Sequence, residues 1–466
     1  MRVCMILEGC YPYIRGGVST WAHEYMKSKP ETEFVLWTIQ ANHEIAQKRL
    51  YDLPDNVVEM HEIFLEDAFK SGDISGKKTA GKEAEVIDAL GQLLLQDKNN
   101  WELLLSVCHG TKYTVADIAR AEAFLNYAIG LADNGPEPIG LSDAFYGLRS
   151  MLLPVLYILS QPIPEADIYH SAVAGYGGLL GSMASLVTGR PFILTEHGIY
   201  PREREEELMQ AEWVAESMRN IWIRMFYNMS RCAYTYADRV TSLFSKAKER
   251  QSEIGCSTEK CRIVPNGIYF ERFSSIPERK VDGNINIGAF IRFAPIKDVK
   301  TLIRAFYSLS NQVPSAVLYI MGGTDDPEYE AECKDLIQRL DIKNIRVEGH
   351  VNTVEYMEIM NFTVMTSISE GQPLAILESL AAGRPCVTTN VGNCVGLLEQ
   401  PEDDYGRAGI CCIPMDVKGL AEAMKKLCED PDYTRALGKN GRNRVRNSYT
   451  HEIMMERYYQ LYNEVC

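Results

Sequence analysis

Short apolar runs rich in β-branched residues alternate with segments of helical spacing along almost the whole chain, and this rhythm limits the fold to α/β architectures. A strand followed by a helix and then another strand pairs in parallel, because the crossover returns the chain to the same edge of the sheet. In the first half strands are expected over 2–8, 34–39, 57–63, 167–171, 191–196, 239–243 and 261–264. In the second half they are expected over 285–291, 316–321, 345–349, 362–366, 386–389 and 409–413. Residues 65–165 make too long a connection for one crossover. Helical spacing at 83–95, 101–108, 115–132 and 142–159 marks that stretch as a helical insertion whose role its residues do not reveal.

At 466 residues the chain exceeds what one core organises, so two doubly wound domains are expected. Residues 274–286 are polar, contain Pro277 and Gly283, and read as the linker. The expected domains are 1–273 and 284–447, with 448–466 forming a terminal helix that packs back on the first domain. Ligands of such sheets gather outside the carboxyl ends of the strands, and two facing domains would form a cleft there.

Charge and composition remove several function classes. A net charge of -15 argues against nucleic acid as a partner, since phosphate backbones are held by concentrated Lys and Arg. It also disfavours broad adsorption to an anionic membrane. Residues 2–7 start a strand at once rather than a signal peptide, and the apolar run 151–159 is interrupted by Pro154 and too short to span a bilayer. The 13 cysteines are scattered, and neither Cys256 with Cys261 nor the adjacent Cys411 and Cys412 has zinc-ribbon spacing. Buried thiols and a cytoplasmic location are the expectation.

Local chemistry concentrates in Ser369-Glu370-Gly371-Gln372-Pro373-Leu374-Ala375-Ile376-Leu377-Glu378. A strand runs into a loop holding Glu370, and Pro373 suits the first turn of a helix that contains Glu378. Amides from Gly371 to Leu374 at a helix N-terminus favour an anion, and the flanking carboxylates accept from hydroxyl groups. A ligand with diols on either side of a diphosphate is a sugar nucleotide. From spacing alone, a capped helix with a solvated acid explains the pair equally well. Arg292 and Lys297 follow the first strand of the second half, where they would neutralise a diphosphate as it departs; ordinary surface charge is the competing explanation. Asp298 suits the N-cap of the next helix. Gly16 and Gly17 precede a helix over 18–26 and allow close backbone approach to a ligand, although a tight turn also accounts for them. His197 ends a strand, where it serves either a substrate hydroxyl or the packing. Asn266-Gly267 and Gly322-Gly323 are turns or loops after strands. Asp430-Pro431-Asp432 has a metal-binding spacing but lies between terminal helices, where a helix boundary explains it better.

Taken in order, Gly16-Gly17, His197, Asn266-Gly267, Arg292 with Lys297, Gly322-Gly323 and the pair Glu370 and Glu378 resemble glycosyltransferase family 4. Asp430-Pro431, Leu437-Gly438 and Gly441-Arg442 look like that family's closing helices. Glu8-Gly9-Cys10-Tyr11-Pro12-Tyr13-Ile14-Arg15-Gly16-Gly17-Val18-Ser19 and Thr195-Glu196-His197-Gly198-Ile199-Tyr200 look closer still to the PelF-type transferases of Pel exopolysaccharide biosynthesis. The resemblance implies a GT-B architecture of two facing Rossmann-like domains and a retaining, metal-independent transfer of a hexosyl group from a UDP-sugar, UDP-glucose or a UDP-N-acetylhexosamine. It implies no cofactor, a carbohydrate acceptor, and a membrane-embedded polymerisation and export complex as partner.

Carried over by position, the resemblance gives Glu370 hydroxyls of the donor sugar and Glu378 the ribose diol. Arg292 and Lys297 take the diphosphate, with Gly16 and Gly17 closing on it and His197 beside the transferred sugar. Gly322, Gly371, Gln372, Pro373 and Leu374 join the donor site, and the backbone around Val351 holds the base. Asp298 departs from the family, which often has Gly after the Lys. A UDP-sugar 2-epimerase-like isomerase and a non-catalytic UDP-sugar-binding subunit are the alternatives.

Overall fold

The computed structural model describes residues 1–70, 83–95, 100–108, 115–135, 138–211, 213–279, 283–324, 326–399 and 403–465. Parts of the expected insertion (71–82, 96–99, 109–114, 136–137) and of the expected linker (280–282) lie outside the described residues. By internal contacts the chain forms two units, Met1–Ile263 with Gln460–Cys466, and Val264–Tyr459.

The first unit holds strands β1 (Arg2–Glu8), β2 (Glu33–Gln40), β3 (Val57–Phe64), β4 (Ile168–Ser171), β5 (Phe192–Glu196), β6 (Arg239–Ser242) and β7 (Cys261–Ile263). They pair in parallel in the order β3-β2-β1-β4-β5-β6-β7. β1 reads Val3-Cys4-Met5-Ile6-Leu7 and is buried on both faces, as a central parallel strand must be when helices cover both sides. The helix Gly17–Lys27 buries Trp21, Ala22, Tyr25 and Met26 and sets Tyr25 edge-on to Phe34 of β2 and His170 of β4, the two strands beside β1. On the other face Cys4, Ile6, Trp37 and Ile39 share one core with Leu90 and Leu93 of the helix Glu83–Leu95 and with Leu148 and Leu152 of the helix Leu141–Leu159. The insertion is therefore part of the unit's own core rather than an appended lobe. The helical spacing over 115–132 resolves into two helices, Val115–Arg120 and Glu122–Asn134, because Ala121 is extended.

The second unit holds β8 (Ile285–Phe290), β9 (Ala316–Met321), β10 (Ile345–Gly349), β11 (Phe362–Met365), β12 (Cys386–Thr389) and β13 (Gly409–Cys412). These pair in parallel in the order β10-β9-β8-β11-β12-β13. Two doubly wound parallel sheets are thus present, as the alternation of runs required. Residues before β8 already belong to this unit's core: Phe270, Phe273 and Ile276 are buried in it. Asp430 accepts a hydrogen bond from the Tyr433 amide at 2.9 Å and caps the helix Pro431–Ser448, a structural role for that Asp-Pro-Asp spacing. Cys256 and Cys261 are buried, whereas Cys411 and Cys412 on β13 are only half-buried. Among the described residues, no helix is long and apolar enough to cross a membrane.

Candidate functional site

In the second sheet β8 pairs with β9 on one side and β11 on the other, so the winding direction reverses between β8 and β11. Loops leaving the carboxyl ends of two such strands diverge and open a crevice. The loop after β8 carries Arg292 and Lys297; the loop after β11 carries Glu370. The sequence places the charged residues at the one position in this sheet where topology leaves room for a ligand.

The two loops are tied together. Thr366, fully buried, has its hydroxyl 3.1 Å from the carbonyls of both Lys297 and Asp298, and the Ile368 amide donates to the Ile296 carbonyl at 2.8 Å. Lys297 Nζ then lies 2.5 Å from Glu370 Oε1, which also accepts from Ser367 Oγ at 2.6 Å. Gly392 (φ 51°) presses on this loop from outside, and a Cβ there would stand 2.1 Å from the Glu370 carbonyl oxygen. Asp298 has a φ of 47°, in the left-handed region where glycine is most at ease and Asp is tolerated. Its carboxylate accepts from the Thr301 amide at 3.3 Å and caps the helix Val299–Ser310, and the residue is not part of the pocket wall.

The helix Leu374–Ala381 starts at Pro373 with no side chain capping it. Its Ile376 amide donates to the Pro373 carbonyl at 3.2 Å, and the amides that open a helix favour an anion. Glu378 stands one turn further along. Burial pushes its carboxyl up to about 7, against a smaller opposing pull from Arg272. A pocket of about 330 Å³ gathers Arg292, Lys297, Glu370, Pro373, Leu374 and Glu378 with Gly322 and Val351. A Cβ at Gly322 would meet the Ile291 carbonyl oxygen at 2.1 Å, so glycine there lets two loops touch backbone to backbone.

Of the donor residues expected in the second unit, Gly371 and Gln372 do not line this pocket. Gln372 is buried with its Oε1 accepting from the Asn266 amide at 2.8 Å, and the Gly371 carbonyl accepts from the Asn393 amide at 2.9 Å; both brace the loop. Conversely, the wall includes residues to which sequence reasoning gave no role: Phe290, Met321 and Met365 make an apolar part, while His350 and Thr353 add polar side chains. His350 lies within the same Glu-Gly-His-Val run that pointed to the Val351 backbone, and that was its one available signal.

In the first unit, His197 follows β5 with its ring edge-on to Trp21 at 4.7 Å. Its Nε2 is buried and has no hydrogen-bond partner among the described residues. Burial lowers its pKa to about 4, so near neutral pH the ring is uncharged and offers one donor and one acceptor nitrogen. The preceding Glu196 fixes the turn: it accepts from Tyr234 Oη at 2.7 Å, Gln251 Nε2 at 2.9 Å and the Tyr200 amide at 3.3 Å. Gly16 is exposed with an extended φ of 176°, and a Cβ at Gly16 or Gly17 would meet nothing within 4 Å. No tight turn requires either glycine.

Against known proteins, residues 1–259 match the family model described as "Domain of unknown function (DUF3492)", and residues 274–444 match "Glycosyl transferases group 1". The chain is 24% identical over 340 residues, 68% of its length and 81% of the relative's, to a capsular polysaccharide biosynthesis glycosyltransferase, CapM, of Staphylococcus aureus. It is 26% identical over 254 residues, 51% of its length and 62% of the relative's, to an N-acetyl-alpha-D-glucosaminyl L-malate synthase of Bacillus anthracis. A crystal structure of Anabaena HepE in complex with UDP-glucose superposes with a TM-score of 0.61 at 14% identity, covering 99% of both chains.

Proposed function

The chain belongs to the DUF3492 family and is a glycosyltransferase of group 1 type, and we propose that it transfers a hexosyl group from a UDP-sugar to a carbohydrate acceptor with retention at the anomeric carbon. The observation that carries this reading is the convergence of Arg292, Lys297, Glu370, Glu378 and an uncapped helix N-terminus on one pocket at the sheet's reversal point. Cations and amides suit a diphosphate, and two carboxylates on either side suit the hydroxyls of a sugar and a ribose.

In this reading the leaving diphosphate carries the chemistry. Arg292 and Lys297 stabilise the charge that builds on it as the bond to the sugar breaks, and the diphosphate oxygen helps take the acceptor's proton on the same face. Glu370 orients the sugar and Glu378 the ribose, so that positioning supplies much of the rate. From the first unit, neutral His197 is assigned a substrate hydroxyl, and Gly16 and Gly17 a close backbone approach to ligand. No metal or cofactor is required. Family 4 membership, a Pel-type exopolysaccharide product, and recruitment to a membrane-embedded polymerisation and export complex extend the proposal. The motifs around Gly16-Gly17 and His197 support them.

A thermal-shift panel of UDP, GDP, ADP and their sugars tests the donor class, since a ligand selective for the native state raises its melting temperature. UDP and a UDP-hexose are expected to shift it most. A larger shift with GDP or ADP would sink the UDP assignment. Conversion of the UDP-sugar without acceptor would instead favour an isomerase.

A further inference from the structure

Resting on that reading of the pocket, we propose that the imidazole of His350 stacks on the base of the bound nucleotide and is the side chain through which the site holds a nucleoside rather than a bare diphosphate. The pocket's charged groups are already divided: Arg292 and Lys297 for phosphate, Glu370 for sugar, Glu378 for ribose. The base therefore falls to the remaining wall, which holds two rings, Phe290 and His350.

These rings differ in what they are free to do. Phe290 packs against its own strand and the unit's core; its Cε2 lies 3.2 Å from where a Cβ on Gly288 would stand. His350 is exposed, and no hydrogen bond engages its ring among the described residues. β10 ends at Gly349 with a φ of 66°, and this left-handed turn brings His350 and Val351 into the wall together. Gly323 backs the ring: a Cβ there would stand 2.4 Å from His350 Nε2. Glycine at 323 thus leaves the space that the imidazole occupies. An exposed ring in the pocket wall, set against a glycine and held by no hydrogen bond among the described residues, is available for a base to stack on.

The test measures binding of UDP and of inorganic pyrophosphate to the full chain and to three variants. His350→Ala is expected to weaken UDP by about tenfold, the scale of one lost base–aromatic stack, while leaving pyrophosphate unchanged. His350→Phe keeps a ring and should restore UDP binding. Gly323→Ala, which displaces the ring without deleting it, should behave like His350→Ala. Wild-type UDP affinity in His350→Ala, an equal loss for pyrophosphate, or no rescue by His350→Phe would each overturn the proposal. A wild-type chain that binds neither UDP nor pyrophosphate would sink the reading of the pocket itself, an outcome distinct from all of these.

Discussion

Lys297 and Glu370, 73 positions apart in sequence, form a 2.5 Å ion pair between the loops that follow β8 and β11. The pair is mostly withdrawn from water, and Ser367 holds the same carboxylate oxygen. The group proposed for the diphosphate and the group proposed for the sugar are therefore oriented by each other before any ligand arrives.

Breaking this pair should cost both activity and stability. Lys297→Ala or Glu370→Gln is expected to reduce turnover by roughly a hundredfold or more, the scale of losing one transition-state contact. Removing one partner strands the other in a mostly buried place, so the folded state should also lose about 3 kcal/mol. Steady-state kinetics beside a urea titration check both halves.

Glu378 gives the site a pH signature. Its pKa is raised from 4.5 to about 7 by burial, so the native state binds a proton more tightly than the unfolded chain. The sign follows: stability contributed by this group is full below 4.5 and declines as pH rises through about 7. Glu378→Gln should therefore gain stability relative to wild type at pH 8 and match it near pH 4. UDP affinity should move the other way in wild type, weakening as pH falls below about 7, because a protonated carboxyl is a poorer acceptor for the ribose diol. In Glu378→Gln that slope should vanish; a slope kept in the variant would assign it to another group.

Gly392 is expected to be intolerant. Its φ of 51°, and the 2.1 Å that would separate an added methyl from the Glu370 carbonyl oxygen, leave no room for alanine. Gly392→Ala should cost about 1–3 kcal/mol of stability and displace Glu370, lowering turnover as well. Melting curves and rates on one preparation would check this, and unchanged values of both would contradict it.

A control lies away from the pocket. Arg444 is fully buried and pairs with Asp403 through Nε and Nη2, at 2.5 and 2.8 Å. Burial works against ionisation of Asp403, but the hydrogen bonds and charge of Arg444, with the Tyr405 amide, together outweigh it and hold its pKa below 3.8. Its stabilisation is thus present above that value and lost as pH falls. Asp403→Asn should cost about 3 kcal/mol, since it strands a buried cation, and leave UDP affinity unchanged.

Much of the architecture was legible because parallel strands buried on both faces leave continuous apolar runs. β1, β9 and β12 begin and end where those runs do. The first unit's use of its insertion as core was not legible, since helical spacing shows which face is apolar but not what covers it. At the site, charge and glycine punctuation marked Arg292, Lys297, Gly322, Glu370 and Glu378, all of which line one pocket. Gln372 and Gly371 read as ligand contacts because they lie between two such residues, yet their polar atoms serve Asn266 and Asn393. Thr366, Ser367 and Gly392 act by positioning others, and nothing in loops of ordinary small residues announces that.

The most direct measurement is acceptor-dependent release of UDP from a UDP-hexose in the presence of EDTA, comparing wild type with Glu370→Gln. Release is expected to require the acceptor, to survive chelation, and to fall by about a hundredfold in the variant. Release by Glu370→Gln at the wild-type rate, or none from the wild type with any UDP-hexose and carbohydrate acceptor, would contradict the proposed transfer.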